Sequence, residues 1–272
     1  MIELDAAQFN LAQPIFSRLD FCVPLQAILE GSAPGRVFVD RATAPTVAFV
    51  WTRWGYYYLC GNPHNATFVA ALAQRLADEL LPASITGGES EPILYPDGEG
   101  WKAYLETLFK GRQTFEIYRR VHAFDRAAFN RLPDWRARIP AGFDIKRIDR
   151  ALLAQTGDQF DIEQTWNSVD DFGEKGIGFA VWSGDRLASV CMSAFVGADR
   201  AEIGVHTDEA YRRRGLAQLA AQAFIEACLQ QGLTPNWECF WDNEPSVALA
   251  QKLGFVMQFD HPIYVVVEAN HG

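Results

Sequence analysis

Three consecutive arginines followed by a glycine and a small residue form the segment Arg212–Ala217, which reads Arg-Arg-Arg-Gly-Leu-Ala. Glycine lets the backbone approach a ligand closely, because it has no Cβ, and the small Ala217 leaves similar room further along. Arginine side chains add charge-assisted hydrogen bonds to phosphate oxygens. This combination of residues, placed at the start of a helix, predicts a site for a diphosphate group.

The elements on either side of this segment support that placement. Residues 200–207 alternate as a strand does, and the apolar residues from Leu216 to Cys228 recur at spacings of three and four, which indicates an amphipathic helix ended by Gly232. A helix N-terminus presents unpaired backbone N–H groups and about half a positive charge. The arginines and Gly215 are therefore expected in a loop between a strand and a helix N-terminus.

The C-terminal half predicts the order strand, helices, three strands, helix, strand, helix and two strands. The predicted strands are 143–148, 178–182, 187–196, 200–207, 235–241, 255–259 and 263–268, and the predicted helices are 149–166, 168–172, 215–232 and 246–253.

The N-terminal half predicts a similar order: three strands, a helix, a strand, a helix and a strand. The strands are 36–39, 46–51, 56–60, 92–95 and 114–124, and the helices are 65–81 and 100–109. This order suggests a degenerate repeat of the C-terminal half, although an unrelated α/β domain would also alternate strands and helices. Residues 127–142, which contain Pro133, Pro140 and Gly142, are expected to separate domains 1–130 and 143–272.

Composition and charge narrow the class of protein. The 272 residues are 49% apolar and 21% charged, which is typical of globular proteins and sufficient for two domains. Residues 1–142 carry 14 Lys and Arg against 15 Asp and Glu, a net charge of −1, whereas residues 143–272 carry 10 against 19, a net charge of −9. Such an acidic half repels phosphate backbones and argues against nucleic-acid binding.

Neither a membrane nor an oxidising compartment is indicated. The sequence has no apolar run of membrane-spanning length and no secretory segment at its start. Its five cysteines are scattered, so that neither a disulfide framework nor a metal site is expected. We expect a cytoplasmic protein.

Two motifs resemble those of a known family, the GNAT superfamily of N-acetyltransferases. Arg212-x-x-Gly215-x-Ala217, after a strand and before a long helix, resembles the family's pyrophosphate-binding motif. Asn243-x-x-Ser246, followed by Leu253-Gly-Phe255, is similar to the family's last helix and the turn that leaves it. The stretch from Glu202 to Ala217, taken together with Trp237-x-Cys239, is similar to one bacterial GNAT subgroup. The resemblance covers about residues 143–268, and Gly61-Asn-Pro-His-Asn65 in the N-terminal half does not substitute for the motif.

The resemblance implies an α/β (α+β) GNAT fold with a twisted mixed sheet, preceded by a second α/β domain. It also implies transfer of an acetyl group from acetyl-CoA to a primary amine, without a metal. The residues that it assigns to cofactor binding are Ile203, Val205, Thr207, Arg212, Arg213, Arg214, Gly215, Leu216, Ala217, Asn243 and Ser246. Asn243 and Ser246 are also good helix-capping residues.

The implied reaction requires a base, because an alkylamine with a pKa of about 10.4 is protonated at neutral pH. Glu202 is the preferred candidate, and the alternative for it is a residue at the edge of the core that faces solvent. His206 has a suitable ordinary pKa, but a structural or solvent-facing histidine is an open alternative, and Glu238 is a third candidate base. A backbone N–H of the segment Ile203–Val205 is expected to meet the charge that develops on the thioester oxygen.

The sequence departs from the family at one position. Many members carry a tyrosine acid in the last helix, where this sequence has Ala250. One alternative is that Tyr264 or water protonates the leaving thiolate. Another is that the domain binds acetyl-CoA without turnover. A third is that the protein is an acyltransferase that uses another acyl-CoA. The acidic half favours a cationic amine acceptor, and the sequence leaves open whether the chain forms a homodimer.

Overall fold

The computed structural model describes residues 1–85, 91–156, 160 and 162–269. The chain divides into two compact units: unit 1 comprises Met1–Arg119 and His261–Gly272, and unit 2 comprises Arg120–Asp260. These boundaries fall within two long strands and not within the proline-containing segment 127–142.

Unit 1 begins with short helical segments and continues with alternating strands and helices. In chain order its elements are β1 (Ile2–Glu3), 3-10 helices Ala6–Leu11 and Gln13–Leu19, α1 (Val23–Leu29), β2 (Arg36–Val39), β3 (Val47–Trp51), β4 (Tyr56–Gly61), α2 (Ala66–Arg75), a π-helical turn Leu76–Leu80, α3 (Leu81–Ile85), β5 (Ile93–Pro96), a 3-10 helix Glu99–Tyr104, α4 (Leu105–Leu108) and the first part of β6 (Arg112–Phe124).

Apolar, β-branched and aromatic residues fill β2, β3, β4 and β5 of unit 1, as expected for strands that are covered on their faces. The order is β1-β2-β3-β4-β5, and residues of the last strand, β12 (Phe255–Glu268), pair with β5. Val47, Phe49 and Tyr57 of the sheet pack with Leu72 of α2 and with Trp101 in one buried cluster.

Unit 2 carries the predicted motifs. After β6 its elements are α5 (Arg126–Phe129), a 3-10 helix Arg136–Arg138, β7 (Asp144–Arg147), α6 (Arg150–Thr156), a 3-10 helix Ile162–Gln164, α7 (Val169–Lys175), β8 (Gly178–Ser183), β9 (Arg186–Gly197), β10 (Arg200–Thr207), a 3-10 helix Glu209–Tyr211, α8 (Leu216–Gln230), β11 (Thr234–Phe240), α9 (Glu244–Lys252) and the first part of β12.

The core of unit 2 forms between its sheet and α8. Leu219, Ala220 and Phe224 of α8 are buried against strand residues such as Val181 and Trp237. Together with the buried Leu216, these helix residues form the apolar face that spacings of three and four predicted. The core therefore fixes α8, and with it the N-terminal turn that follows the arginine segment.

The two units share one pattern of strand pairing. In unit 1, β1, β2, β3 and β4 pair antiparallel in succession and β4 pairs parallel with β5. In unit 2, β7, β8, β9 and β10 pair antiparallel in succession and β10 pairs parallel with β11. This shared pattern supports the repeat that the order of elements suggested.

Two predicted boundaries differ from the observed ones. The two strands predicted at 255–259 and 263–268 form the single strand β12, which runs through Pro262. The helix predicted at 149–166 is observed as α6 and a 3-10 turn, and residues 157–159 and 161 of that range lie outside the described residues.

The segment predicted as a domain boundary is packed onto unit 2. Phe129, Leu132 and Trp135 contact the unit 2 core. The Trp135 indole Nε1 donates to Glu226 Oε2 at 2.9 Å, and Arg136 donates to both carboxylate oxygens of Glu226 at 2.8 and 2.9 Å. Its prolines therefore belong to an ordered segment that covers α8.

Within the described ranges, no helix combines the length and the apolar character that a bilayer crossing demands.

Candidate functional site

A gap opens between the parallel strands β10 and β11. Their pairing covers Arg200–Glu202 and Thr234–Asn236. Beyond these residues, β10 pairs only with β9 in the described part of unit 2, through Ile203–Thr207. Because successive backbone N–H groups of a strand point to opposite sides, part of this stretch presents its N–H groups toward the gap.

The two faces of β10 carry different side chains. Ile203 and Val205 pack on the core beneath α8, so Glu202, Gly204 and His206 lie on the opposite face by the period of two. Glu202 is buried, with 7% of its surface exposed, and accepts a hydrogen bond from the Asn236 Nδ2 group of β11. The alternative of a solvent-facing Glu202 is therefore excluded.

The loop between β10 and α8 adopts a conformation that opens the helix N-terminus. Arg213 and Gly215 have positive φ angles of 64° and 79°. Gly215 is the N-cap of α8, and no side chain of the described residues caps the helix there. A Cβ at Gly215 would meet no atom within 4 Å. The first backbone N–H groups of α8 are thus left for an external acceptor.

A cleft of about 550 Å³ lies along this loop, between the N-termini of α8 and α9. Ten of the predicted site residues line it: Val205, His206, Thr207, Arg212, Arg213, Gly215, Leu216, Ala217, Asn243 and Ser246. Basic side chains, open helix N–H groups and small residues therefore meet in one concave site, which suits a diphosphate with an elongated arm.

The arginines of the loop hold different positions. Arg212 Nε donates to the Thr207 carbonyl oxygen at 3.4 Å, and its guanidinium pairs with Glu209 at 3.1 Å. Arg214 lies over the Tyr211 ring and donates to the Ala210 carbonyl oxygen at 3.3 Å. Arg214 is not among the cleft-lining residues, and neither is Ile203.

The N-terminus of α9 forms the other wall of the cleft. The Asn243 side chain accepts a hydrogen bond from the Ser246 backbone N–H at 3.1 Å, so the capping alternative is confirmed for Asn243, whereas Ser246 provides the N–H that is capped. The Ser246 hydroxyl accepts a hydrogen bond from the Trp237 indole at 3.1 Å. Both residues cap or brace the helix and also line the cleft.

His206 is exposed and lies at the junction of two clefts. It lines the 550 Å³ cleft and also a neighbouring cleft of about 380 Å³, whose lining includes Phe160, Leu187 and Asp208. Of the candidate bases, His206 is the one that lines both.

Tyr264 is placed elsewhere. It lies on β12 in unit 1, and its hydroxyl donates to Glu116 Oε2 at 3.3 Å. Burial raises the pKa of its phenol. Tyr264 lines a cleft of about 240 Å³ in unit 1 and is not a lining residue of the 550 Å³ cleft. The acid role of Tyr264 stays a prediction, and the set of residues that line the 550 Å³ cleft does not support it.

Several cleft residues had no motif to indicate them. Pro245, Ala248, Leu249 and Lys252 line the cleft, and their spacing of three and four places them on one face of α9. A step of three residues from Ser246 would have found Leu249, whereas Pro245, Ala248 and Lys252 fall at other spacings from it. Asn236, which contacts Glu202, could be found only from the pairing of β10 with β11.

Unit 1 differs at the equivalent loop between β4 and α2. There Asn65 caps α2 by accepting the Phe68 backbone N–H at 3.0 Å. Asp97 accepts both the Gly61 backbone N–H and the indole N–H of the buried Trp101 at 2.9 Å. The helix cap and the carboxylate satisfy these donors internally, which agrees with the lack of a phosphate motif in the N-terminal half.

Comparison with known proteins agrees with this geometry. The family model described as GNAT acetyltransferase matches residues 14–264. The curated protein named uncharacterized N-acetyltransferase YdfB, from Bacillus subtilis (strain 168), is 31% identical over 240 residues, which cover 88% of each chain.

Solved structures show the same fold. A GCN5-related N-acetyltransferase-like protein from Streptococcus suis 89/1591 has 25% identity and a TM-score of 0.71, with 96% of this chain and 99% of that chain covered. A tandem GNAT protein from the clavulanic acid biosynthesis pathway has 12% identity and a TM-score of 0.59 over 100% of this chain and 98% of its own, a likeness of fold alone. With a family match over most of its length and an N-acetyltransferase as a relative, this chain belongs to the GNAT acetyltransferase family.

Proposed function

We propose that unit 2 binds acetyl-CoA in the 550 Å³ cleft and transfers the acetyl group to a primary amine. The observation that carries the proposal is the open N-terminus of α8, where Gly215 leaves the first helical N–H groups without a side-chain cap inside a basic cleft. Such a terminus binds anions, and the gap between β10 and β11 continues from it.

Three groups of residues would hold the cofactor. The backbone of Gly215–Ala217 and the side chains of Arg212 and Arg213 suit the diphosphate, because they combine helix N–H groups with guanidinium donors. Val205 and Thr207 of β10 suit the arm that leads to the thioester, and Asn243 of α9 faces them across the cleft. Acetyl-CoA supplies the activated acetyl group for this chemistry.

Glu202 is the proposed base. It lies on the face of β10 opposite α8, at the last residue pair before the strands separate. The Asn236 side chain orients its carboxylate, so that a fixed oxygen can accept the proton of an incoming ammonium group. His206, exposed where two clefts meet, is the alternative base, and Glu238 is the third.

A cationic acceptor fits the charge of this half of the chain. Residues 143–272 carry a net charge of −9, and an acidic field raises the local concentration of amines. Amino sugars, polyamines, amino acids and protein N-termini all satisfy this condition, so charge selects a class and not one compound.

The proposal is tested by measuring thiol release from acetyl-CoA with four acceptors: glucosamine, spermidine, lysine and a peptide with a free N-terminal alanine. We expect acceptor-dependent release with at least one amine class. A parallel series with propionyl-CoA and longer thioesters tests the alternative donors, since a preference for a longer chain would replace acetyl-CoA in the proposal.

A second candidate function is binding of acetyl-CoA without turnover. Ala250 favours it, because this residue is fully buried and offers no hydroxyl where many family members carry a tyrosine. Stoichiometric binding of acetyl-CoA together with no release above the uncatalysed rate across the acceptors would favour this function over the transferase.

A further inference from the structure

A tyrosine at position 250 would place its hydroxyl near Ser246. Ala250 of α9 has 0% of its surface exposed and packs in the unit 2 core. Side chains of a helix lean toward its N-terminus and cover the preceding turn. A hydroxyl carried on position 250 would therefore lie over the turn that contains Ser246, four residues earlier.

Ser246 takes part in two hydrogen bonds, one through its hydroxyl group and one through its backbone N–H. Its hydroxyl oxygen accepts the Trp237 indole N–H at 3.1 Å, and its backbone N–H is bound by Asn243 at 3.1 Å. Trp237 is 3% exposed and lies on β11, so the donor is fixed. A hydroxyl has one proton to donate and two lone pairs, and the indole uses a lone pair. Among the described residues no acceptor uses the proton of Ser246, which is therefore available to a partner within the cleft that this residue lines.

From these contacts we propose that Ser246 is a catalytic residue that donates a hydrogen bond to the sulfur of the leaving group. The inference rests on the proposed function. When the carbon–sulfur bond breaks, its electron pair goes to sulfur, and the Ser246 O–H stabilises the resulting thiolate while keeping its own proton. Full transfer of the Ser246 proton is not required, because the thiolate of a thiol with a pKa of about 8.5 is a weak base and leaves readily. Water then supplies the proton that converts the thiolate into the thiol.

Other charged or titratable groups in the cleft also influence the pKa of a bound thiol, but they stay the same when Ser246 is replaced. The titratable or charged lining side chains are those of His206, Tyr211, Arg212, Arg213 and Lys252. Each would affect the pKa of a bound thiol equally in the wild type and in a Ser246 variant. The difference between the two proteins therefore isolates the serine hydroxyl.

The test titrates the thiol of bound coenzyme A by the ultraviolet absorbance of its thiolate. In the wild type we expect a lower pKa than in Ser246→Ala, by about one unit, because a hydrogen bond to the charged form favours that form. Calorimetry above pH 8.5 or so should show a matching loss of affinity, about tenfold, for coenzyme A and no change for desulfo-coenzyme A, which lacks the thiol.

Two further variants separate this role from a structural one. Ser246→Thr retains the hydroxyl and should keep the wild-type thiol pKa. Trp237→Phe removes the indole N–H that polarises the hydroxyl, and the thiol pKa should then lie between those of the wild type and Ser246→Ala. In acetyl transfer, Ser246→Ala should lower kcat about ten- to a hundredfold and should change the KM for acetyl-CoA little. This loss in kcat is at most about that caused by removing one oxyanion-hole donor.

The outcomes distinguish this inference from the proposed function. If coenzyme A does not bind the wild type, both are overturned. If it binds and its thiol pKa is the same in the wild type and in Ser246→Ala, the role of Ser246 is overturned while the cofactor site stands. Loss of desulfo-coenzyme A affinity in Ser246→Ala would likewise overturn it, since that result indicates a role in holding the cofactor arm.

Discussion

Glu202 and Asn236 form a buried polar pair at the point where two strands separate. A buried carboxylate needs a hydrogen-bond donor, and Asn236 supplies one from the neighbouring strand. This arrangement fixes the orientation of the carboxylate at the edge of the gap between β10 and β11. As the proposed base, this carboxylate would need no reorientation when an amine arrives.

The first prediction concerns Glu202→Gln. Glutamine cannot accept the proton, so turnover should fall by about 10² to 10⁴ while affinity for coenzyme A stays unchanged. The rate of the wild type should decline as the pH falls through the pKa of the base, and this acid limb should be absent in the variant. Steady-state rates across pH and calorimetry measure the two effects.

Glu238→Gln is the matched comparison, since Glu238 lies on β11 two residues from Asn236. It should retain both the rate and the acid limb. A Glu202→Gln variant with the wild-type pH profile would remove Glu202 from the mechanism, and a loss confined to the Glu238 variant would transfer the role to that residue.

At the scale of elements, the helix α8 is held in place on its outer side by the segment 127–142. Glu226 of α8 receives hydrogen bonds from Arg136 and Trp135. The bonds from Arg136 hold the pKa of the Glu226 carboxyl below its ordinary value, against the opposing effect of partial burial. These contacts tie the segment 127–142 to the helix whose N-terminus lines the 550 Å³ cleft.

The second prediction is that Glu226→Gln lowers the free energy of unfolding by about 1 kcal/mol at neutral pH, a value kept small because the pair is partly exposed. A carboxyl with a depressed native pKa stabilises the fold above its unfolded pKa, about 4.3, and loses that contribution as the pH falls through the native value. The difference from the wild type should therefore shrink in acid.

Urea unfolding at neutral pH and at about pH 3 checks this expectation. Glu268→Gln is the control, because Glu268 is 75% exposed and lies 3.6 Å from Arg112, so its removal should change stability little. Equal effects of the two substitutions would show that the contacts of Glu226 add no stability beyond those of a surface ion pair.

The sequence predicts elements well where the signal is local. The helix after Gly215 and strand 200–207 follow from spacing within one segment, and both are confirmed. The gap beyond Glu202, the contact with Asn236 and the indole on Ser246 depend on pairing between distant segments, which no local pattern contains. The same reason applies to Tyr264, whose pairing with Leu94 of β5 in unit 1 joins strands that are distant in the sequence.

At the scale of the whole molecule, the two units repeat one pattern of pairing but differ at the loop that would bind a phosphate. In unit 2 the helix N-terminus has no side-chain cap, whereas Asn65 caps the corresponding helix of unit 1. In unit 1 the indole N–H of the buried Trp101 donates a hydrogen bond to Asp97, which follows β5. Unit 1 therefore shares the strand pairing of unit 2 but caps the corresponding helix with a side chain.

The third prediction is a stoichiometry of one coenzyme A for each chain. Unit 1 satisfies its own donors with Asn65 and Asp97, so no second anion site is expected there. Calorimetric titration with the full chain should give one site. Two equivalent sites, or a second site that survives the loss of the first, would show that unit 1 also binds the cofactor.

The most direct test of the central claim compares Gly215→Glu with Gly232→Glu by calorimetric titration of coenzyme A. Both glycines adjoin α8, have φ angles near +80° (79° and 77°), and have no atom within 4 Å of an added Cβ. The backbone strain is thus matched, but only Gly215 lies in the cleft. We predict that Gly215→Glu abolishes binding, because its carboxylate repels the diphosphate, and that Gly232→Glu binds as the wild type does; unchanged affinity in Gly215→Glu would contradict the account.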